Sequence, residues 1–149
     1  MGPRRAAREL ALQALYLLEV RGDDEGDRSL GLFWKHFDQV PGAEAFAREL
    51  VEGVRSQRAE LDALLVQCMD NWKLERLSRV DLSLLRLGAW ELVGRPEIPA
   101  SVTINEAVEI ARRFGSEESA SFVNGVLDQA AKRLGKAGLR QPADAPEQG

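Results

Sequence analysis

Residues 121–134 read SFVNGVLDQAAKRL, and the fold class turns on the Asn124-Gly125 pair at the centre of that stretch. Asn-Gly is a strong hairpin signal, but it needs alternating strands on both sides. Here Phe122, Val123, Val126, Leu127, Ala130 and Leu134 recur at the spacing of an amphipathic helix instead. The stretch therefore reads as a helix carried through a glycine, at a cost of roughly 1 kcal/mol against alanine. A glycine kept there is expected to admit a closely packed neighbour.

Before it, Ser116 is placed to cap this helix, with Glu117 and Glu118 in its first turn where the helix dipole favours acids. Gly115 suits the end of the preceding helix, which follows Thr103-Ile104-Asn105-Glu106, a sequence of capping-box form, through AVEIARRF. Ser78-Arg79-Val80-Asp81 has the same form, and LSLLRLGAWELV (82–93) continues from it as a strongly apolar helix until Gly94 and Pro96. Residues 41–69, PGAEAFARELVEGVRSQRAELDALLVQCM, read as one long helix after Pro41-Gly42, with Phe46, Leu50, Val54, Leu61, Leu64 and Leu65 on its apolar side. A short helix is expected around Leu30 to Phe37, after the glycine- and acid-rich RGDDEGDR (21–28). The first helix carries its stripe at Leu10, Ala11, Ala14, Leu15 and Leu18. No segment has convincing strand alternation. The fold class is all-α with about seven helices, and GKAGLRQPADAPEQG (135–149) is expected to be disordered because it has little to bury.

A chain of 149 residues is the size of one ordinary domain. Its single cysteine, Cys68, excludes an internal disulfide framework. No apolar run approaches the roughly 18 residues of a membrane span, and Glu9 and Gln13 interrupt the basic first helix, so it does not read as a signal peptide. A cytoplasmic protein is expected. One Cys and one His give little material for a metal centre. With no phosphate loop, nucleophile elbow or helical His pair, the pattern argues against an enzyme and implies no cofactor. His36, beside Trp34 and Phe37, reads as a surface or partly packed histidine.

The start of the chain is harder to explain. Arg4, Arg5 and Arg8 place cations where the helix dipole disfavours them. Arg5, Leu12 and Tyr16 share a face next to the core stripe. Because the net charge is −4, an indiscriminate nucleic-acid binder is excluded, and any such role must use a local patch.

RRAARELALQALY (4–16), taken with INEAVEIARRFGSEESASFVNGVLD (104–128), resembles the NusB family of transcription antitermination factors. The likeness runs from about Arg4 to Leu134. It implies one RNA-binding helical domain over residues 1–134, built of two small helical subdomains. It also implies binding of boxA-type single-stranded RNA in nascent ribosomal RNA transcripts, as a heterodimer with NusE, a protein of the small ribosomal subunit. That pair nucleates an antitermination complex on RNA polymerase with other Nus factors, without catalysing a reaction. Residue by residue, the resemblance places RNA contacts at Arg4, Arg5, Arg8, Tyr16, Phe114, Gly115, Glu118 and Phe122. It places partner contacts at Tyr16, Glu75, Asp81, Glu118 and Phe122. Ala6 departs from a position that can be basic in relatives, and Ala120 and Ser121 from positions that can be polar or basic. A homodimer in the free state stays open.

The residue chemistry is compatible with that role. Single-stranded RNA is held by cations on phosphates and by rings stacked on bases. On this reading the arginines meet phosphates, and neutralising three or four of them gives a log–log salt slope of roughly −2 to −3. Other readings remain open at each position. The arginines could be solvated, Tyr16 and Phe122 could belong to the core, and Asp81 and Glu118 suit helix starts. Arg86, Arg112 and Arg113 read as solvated. The rival functions are a detached RNA-binding module of the kind fused to ribosomal RNA cytosine methyltransferases, and a protein-only scaffold.

Overall fold

A computed structural model of the chain describes residues 2–22, 25–36, 41–70 and 73–135. Among these residues there are seven α-helices and no strand: α1 (Pro3–Arg21), α2 (Gly26–His36), α3 (Ala43–Ser56), α4 (Arg58–Gln67), α5 (Arg79–Gly94), α6 (Ala100–Phe114) and α7 (Ser119–Arg133). A 3-10 turn, Leu74–Arg76, precedes α5. The expected tail lies outside the described residues beyond Gly135, as do Asp23, Asp24 and Phe37.

The organising element is α5. Every residue from Ser83 to Leu92 is buried, as expected of a helix that is apolar all round. It packs against α1, α3, α4, α6 and α7. An N-terminal group (α1–α3) and a C-terminal group (α4–α7) thus share one continuous core, which runs from Ala7 to Ala131. Two of its close contacts need glycine. A Cβ on Gly88 would sit 2.6 Å from Leu127 Cδ1, and one on Gly53 would overlap the buried indole of Trp90.

The structure corrects several local expectations. The long helix over 41–69 is two helices. Gln57 closes α3 through its N–H to Gly53 O (3.1 Å) and opens α4 by accepting from Leu61 N–H (2.9 Å). The Ser56 hydroxyl also donates to Gly53 O (3.3 Å) and so competes for the last turn. The break falls where the chain changes neighbours, since α3 packs on α1 and α5 and α4 on α5 and α7. The helix of AVEIARRF begins at Ala100, so Thr103 is interior, and its hydroxyl donates to Glu91 instead of capping. Ser116 does not cap α7 with its side chain. Its N–H donates to Ser119 Oγ (2.9 Å), and Glu118 is the N-cap. Gly125 does lie within α7, but a Cβ there would meet open space, so no neighbour within the chain requires it. Arg86 is buried and bound to Asp62 and Glu19, far from a solvated reading. At Ser78 the expectation holds in half. The Asp81 N–H donates to Ser78 Oγ (3.0 Å), while Asp81 Oδ1 is buried without a partner among the described residues.

Candidate functional site

The first helix borders three concave surfaces: a charged one of about 710 Å³ beside Leu15, Leu18, Glu19, Arg58 and Arg86, an arginine-lined cleft and an apolar groove. At its N-terminus, Gly2, Arg4, Arg5, Arg8, Val102 and Glu106 line a cleft of about 370 Å³. No acid occupies the first turn of α1, and Gly2 supplies no side-chain cap. The charge that the dipole would want from this turn comes from other helices. Arg5 donates from Nε and Nη2 to both Glu106 oxygens (2.7 and 2.6 Å). Arg8 makes a similar fork to Glu91 on α5 (2.7 and 2.8 Å), where the two side chains are only 6% and 2% exposed. Glu91 also accepts from the Thr103 hydroxyl at 3.1 Å. Arg8 is therefore a buried ion with a structural role in the free chain, its donors directed to Glu91 and its Nη1 3.7 Å from Glu106.

Arg4 differs from both. It has no ion-pair partner among the described residues, and its guanidinium lies over the buried Phe46 ring, 4.8 Å from the centroid. Arg95 covers the same ring at 5.0 Å but is bound to Glu49 and Glu97. Of the three N-terminal arginines, then, Arg4 is open to an anion, Arg5 is half-exposed but held, and Arg8 is enclosed. The fork from Arg5 holds the Glu106 carboxyl below its ordinary range, against the opposing effect of burial.

Toward its other end α1 forms one wall of a groove of about 830 Å³. The wall carries Leu12, Tyr16, Leu17 and Val20; α2 supplies Leu32 and Phe33, and Val80 and Phe114 close it. Tyr16, Val20, Leu32 and Phe114 are all exposed. These are large apolar side chains gathered in one place, where isolated ones would need no explanation. Arg21 and His36 stand at the rim, with His36 Nδ1 2.9 Å from Leu32 O. Arg113, ion-paired with Glu9 at 2.7 Å, lies over the Phe114 ring.

The remaining candidates divide. Asp81 follows the groove residue Val80, and Glu75 is exposed on the 3-10 turn. Glu118 is exposed at the start of α7, and Phe122 is partly buried against the core one turn later. Gly115 has a structural reason of its own, because a Cβ would collide with the buried Ser119 side chain and come within 2.9 Å of Ala111 O. The structure thus brings Tyr16 and Phe114 into one groove and Arg4, Arg5 and Arg8 to one cleft. Neither the cleft nor the groove is lined by Glu75, Glu118 or Phe122. Sequence reading missed Val20, Leu32 and Val80 in the groove, and Phe46 and Glu106 beside the arginines. Val20 was detectable, since it follows Tyr16 at i+4 on the same off-core face. Among the described residues, no group of His, Cys, Asp and Glu could hold a metal ion, and no helix is long and apolar enough to cross a membrane.

Comparison with known proteins gives this geometry a setting. The model of the NusB family matches residues 5–132. The transcription antitermination protein NusB of Myxococcus xanthus (strain DK1622) is 50% identical over 140 residues, covering 91% of this chain and 99% of that protein. The corresponding protein of Sorangium cellulosum (strain So ce56) is 48% identical over 136 residues, covering 91% and 96%. A solved structure of T. maritima NusB is 36% identical with a TM-score of 0.76, covering 89% of this chain and 92% of that one. Another, of antitermination factors NusB and NusE in complex with dsRNA, matches at 25% identity and a TM-score of 0.79 over 89% and 98%.

Proposed function

The chain belongs to the NusB family, and from that premise we propose that it is a transcription antitermination factor that binds boxA-type RNA of nascent ribosomal RNA transcripts as a heterodimer with NusE. The observation that carries this reading is the division of α1 between an arginine cleft and an exposed apolar groove. Relatives bear the name transcription antitermination protein. A similar structure holds NusB with NusE and RNA.

The two surfaces suit different ligands. The groove offers aromatic and aliphatic side chains with a polar rim, the anatomy of a protein interface with anchoring Tyr and Phe. The cleft offers guanidinium groups, which meet phosphates and stack on unpaired bases. Arg5 and Tyr16 lie on one face, about 16 Å apart along the helix axis, so one RNA strand and one protein partner can be bound side by side. With Arg8 enclosed and Arg5 held, the free protein has few cations to spare, and its net charge is −4. Its own RNA affinity is accordingly modest, and NusE supplies the remaining contacts. The pair then recruits RNA polymerase with further Nus factors in the cytoplasm.

The test is fluorescence anisotropy of labelled boxA-type RNA titrated with the protein, with and without the cognate NusE. A scrambled strand and a boxA-containing duplex run alongside, the duplex because the similar complex contains dsRNA. Selective binding of the single strand that tightens with NusE is the expected result. Equal binding of all three RNAs, unaffected by NusE, would remove the proposed function.

A further inference from the structure

Among the groups lining the arginine cleft, Glu106 is the one carboxylate. It comes from α6, reaches across to α1, and takes both forked donors of Arg5 at 2.7 and 2.6 Å. A bidentate fork is also how a guanidinium binds phosphate, so a phosphate arriving at Arg5 needs the same donors. The pair is accessible to such exchange, with the two side chains 36% and 20% exposed. The fold does not depend on Glu106 to hold the neighbouring cation, because Arg8 is satisfied by Glu91.

We propose that Glu106 is an internal competitor for the RNA phosphate at Arg5, a residue that sets RNA affinity by occupying the site until the nucleic acid displaces it. This rests on the RNA-binding reading above. Binding at the cleft then proceeds in two parts: Arg4, which makes no ion pair among the described residues, engages the strand, and Arg5 exchanges Glu106 for phosphate. No covalent change is involved. The exchange of one anion for another makes Arg5 contribute less to affinity than its charge implies, and makes the protein discriminate against weakly bound polyanions that cannot displace the carboxylate.

The experiment is a double-mutant cycle on the full chain in complex with NusE, read by anisotropy of labelled boxA-type RNA. Glu106→Gln, which keeps the side-chain size and removes the charge, is expected to bind RNA about two- to five-fold more tightly, the range of a partly exposed ion pair. Its salt slope should stay close to that of the wild type, because Arg5 meets the same phosphate in both complexes and only the free state differs. Glu106→Asp keeps the charge but shortens the reach, and should also tighten binding, by less. In an Arg5→Ala background the gain from Glu106→Gln should vanish. If that gain persists without Arg5, Glu106 acts only as bulk negative charge and the competitor role is overturned. If Glu106→Gln leaves binding unchanged or weakens it while the wild type still selects boxA-type RNA, the proposal also falls, and Glu106 instead orients Arg5. If the wild type selects no RNA even with NusE, it is the functional reading that fails. Thermal melts of each variant identify loss of fold separately.

Discussion

Replacing Arg8 by alanine separates a structural arginine from a binding one. The wild-type pair with Glu91 is almost fully enclosed, 6% and 2% exposed, and makes two short hydrogen bonds. Truncation leaves the Glu91 carboxylate in the core with one remaining donor, the Thr103 hydroxyl on Oε1, so Oε2 loses its partner. Breaking a buried pair from one side costs about 3–5 kcal/mol. A domain of this size melts roughly 3–4 °C lower per kcal/mol, so the midpoint should fall by about 10–18 °C. Thermal unfolding followed by circular dichroism measures it. Arg4→Ala, run beside it, should melt close to wild type, because Arg4 is exposed and makes no ion pair among the described residues. A double variant, Arg8→Met with Glu91→Leu, should recover most of the loss, since apolar replacements of a buried pair are often neutral or stabilising. An Arg8→Ala protein that melts within about 2 °C of wild type would refute the reasoning, because that shift corresponds to less than 1 kcal/mol.

Two glycine-to-alanine changes should have opposite signs. Gly125→Ala fills open space in mid-helix and should stabilise by up to about 1 kcal/mol, whereas Gly53→Ala forces the Trp90 indole to move and should cost about 1–3 kcal/mol; urea titration of both reads the sign directly. Leu32→Asp and Tyr16→Ala alter exposed groove residues, so each should leave the melting temperature nearly unchanged while weakening NusE binding by about 2 kcal/mol, some thirty-fold, in calorimetric titration. The lowered Glu106 carboxyl gives stability that is complete above its ordinary value of 4.5 and is lost as the pH falls through its lower folded value. The wild type should accordingly lose more stability than Glu106→Gln between about pH 5 and pH 3, measured as urea midpoints at each pH; identical pH profiles would show that the pair does not contribute.

The helices were legible because their apolar positions are periodic. Helical spacing on both sides carries α7 through the Asn124-Gly125 pair, and Ser78 three residues before Asp81 marks the start of α5. What failed depended on partners distant in sequence. Nothing local at Ser56-Gln57 announces that α3 and α4 face different neighbours. Thr103 looked like a cap because its true acceptor, Glu91, is on another helix. The arginines show the limit most clearly: their charge was obvious, but Arg8 and Arg5 find their carboxylates on α5 and α6, 83 and 101 residues away. The groove was half legible, in Tyr16 and Phe114. Leu32 could not be assigned to it, because one turn of α2 buries Leu30, Phe33 and Trp34 and leaves Leu32 outside.

In the proposed function the two ends of α1 do separate work, RNA at the arginine cleft and protein at the apolar groove. The most direct measurement compares Arg4→Ala with Leu32→Asp in two titrations, one of NusE without RNA and one of boxA-type RNA without NusE. Arg4→Ala should keep its NusE affinity and lose RNA binding, while Leu32→Asp should keep its basal RNA binding and lose NusE. Equal loss of both ligands in both variants would contradict it, because a single shared surface would then bind RNA and protein together.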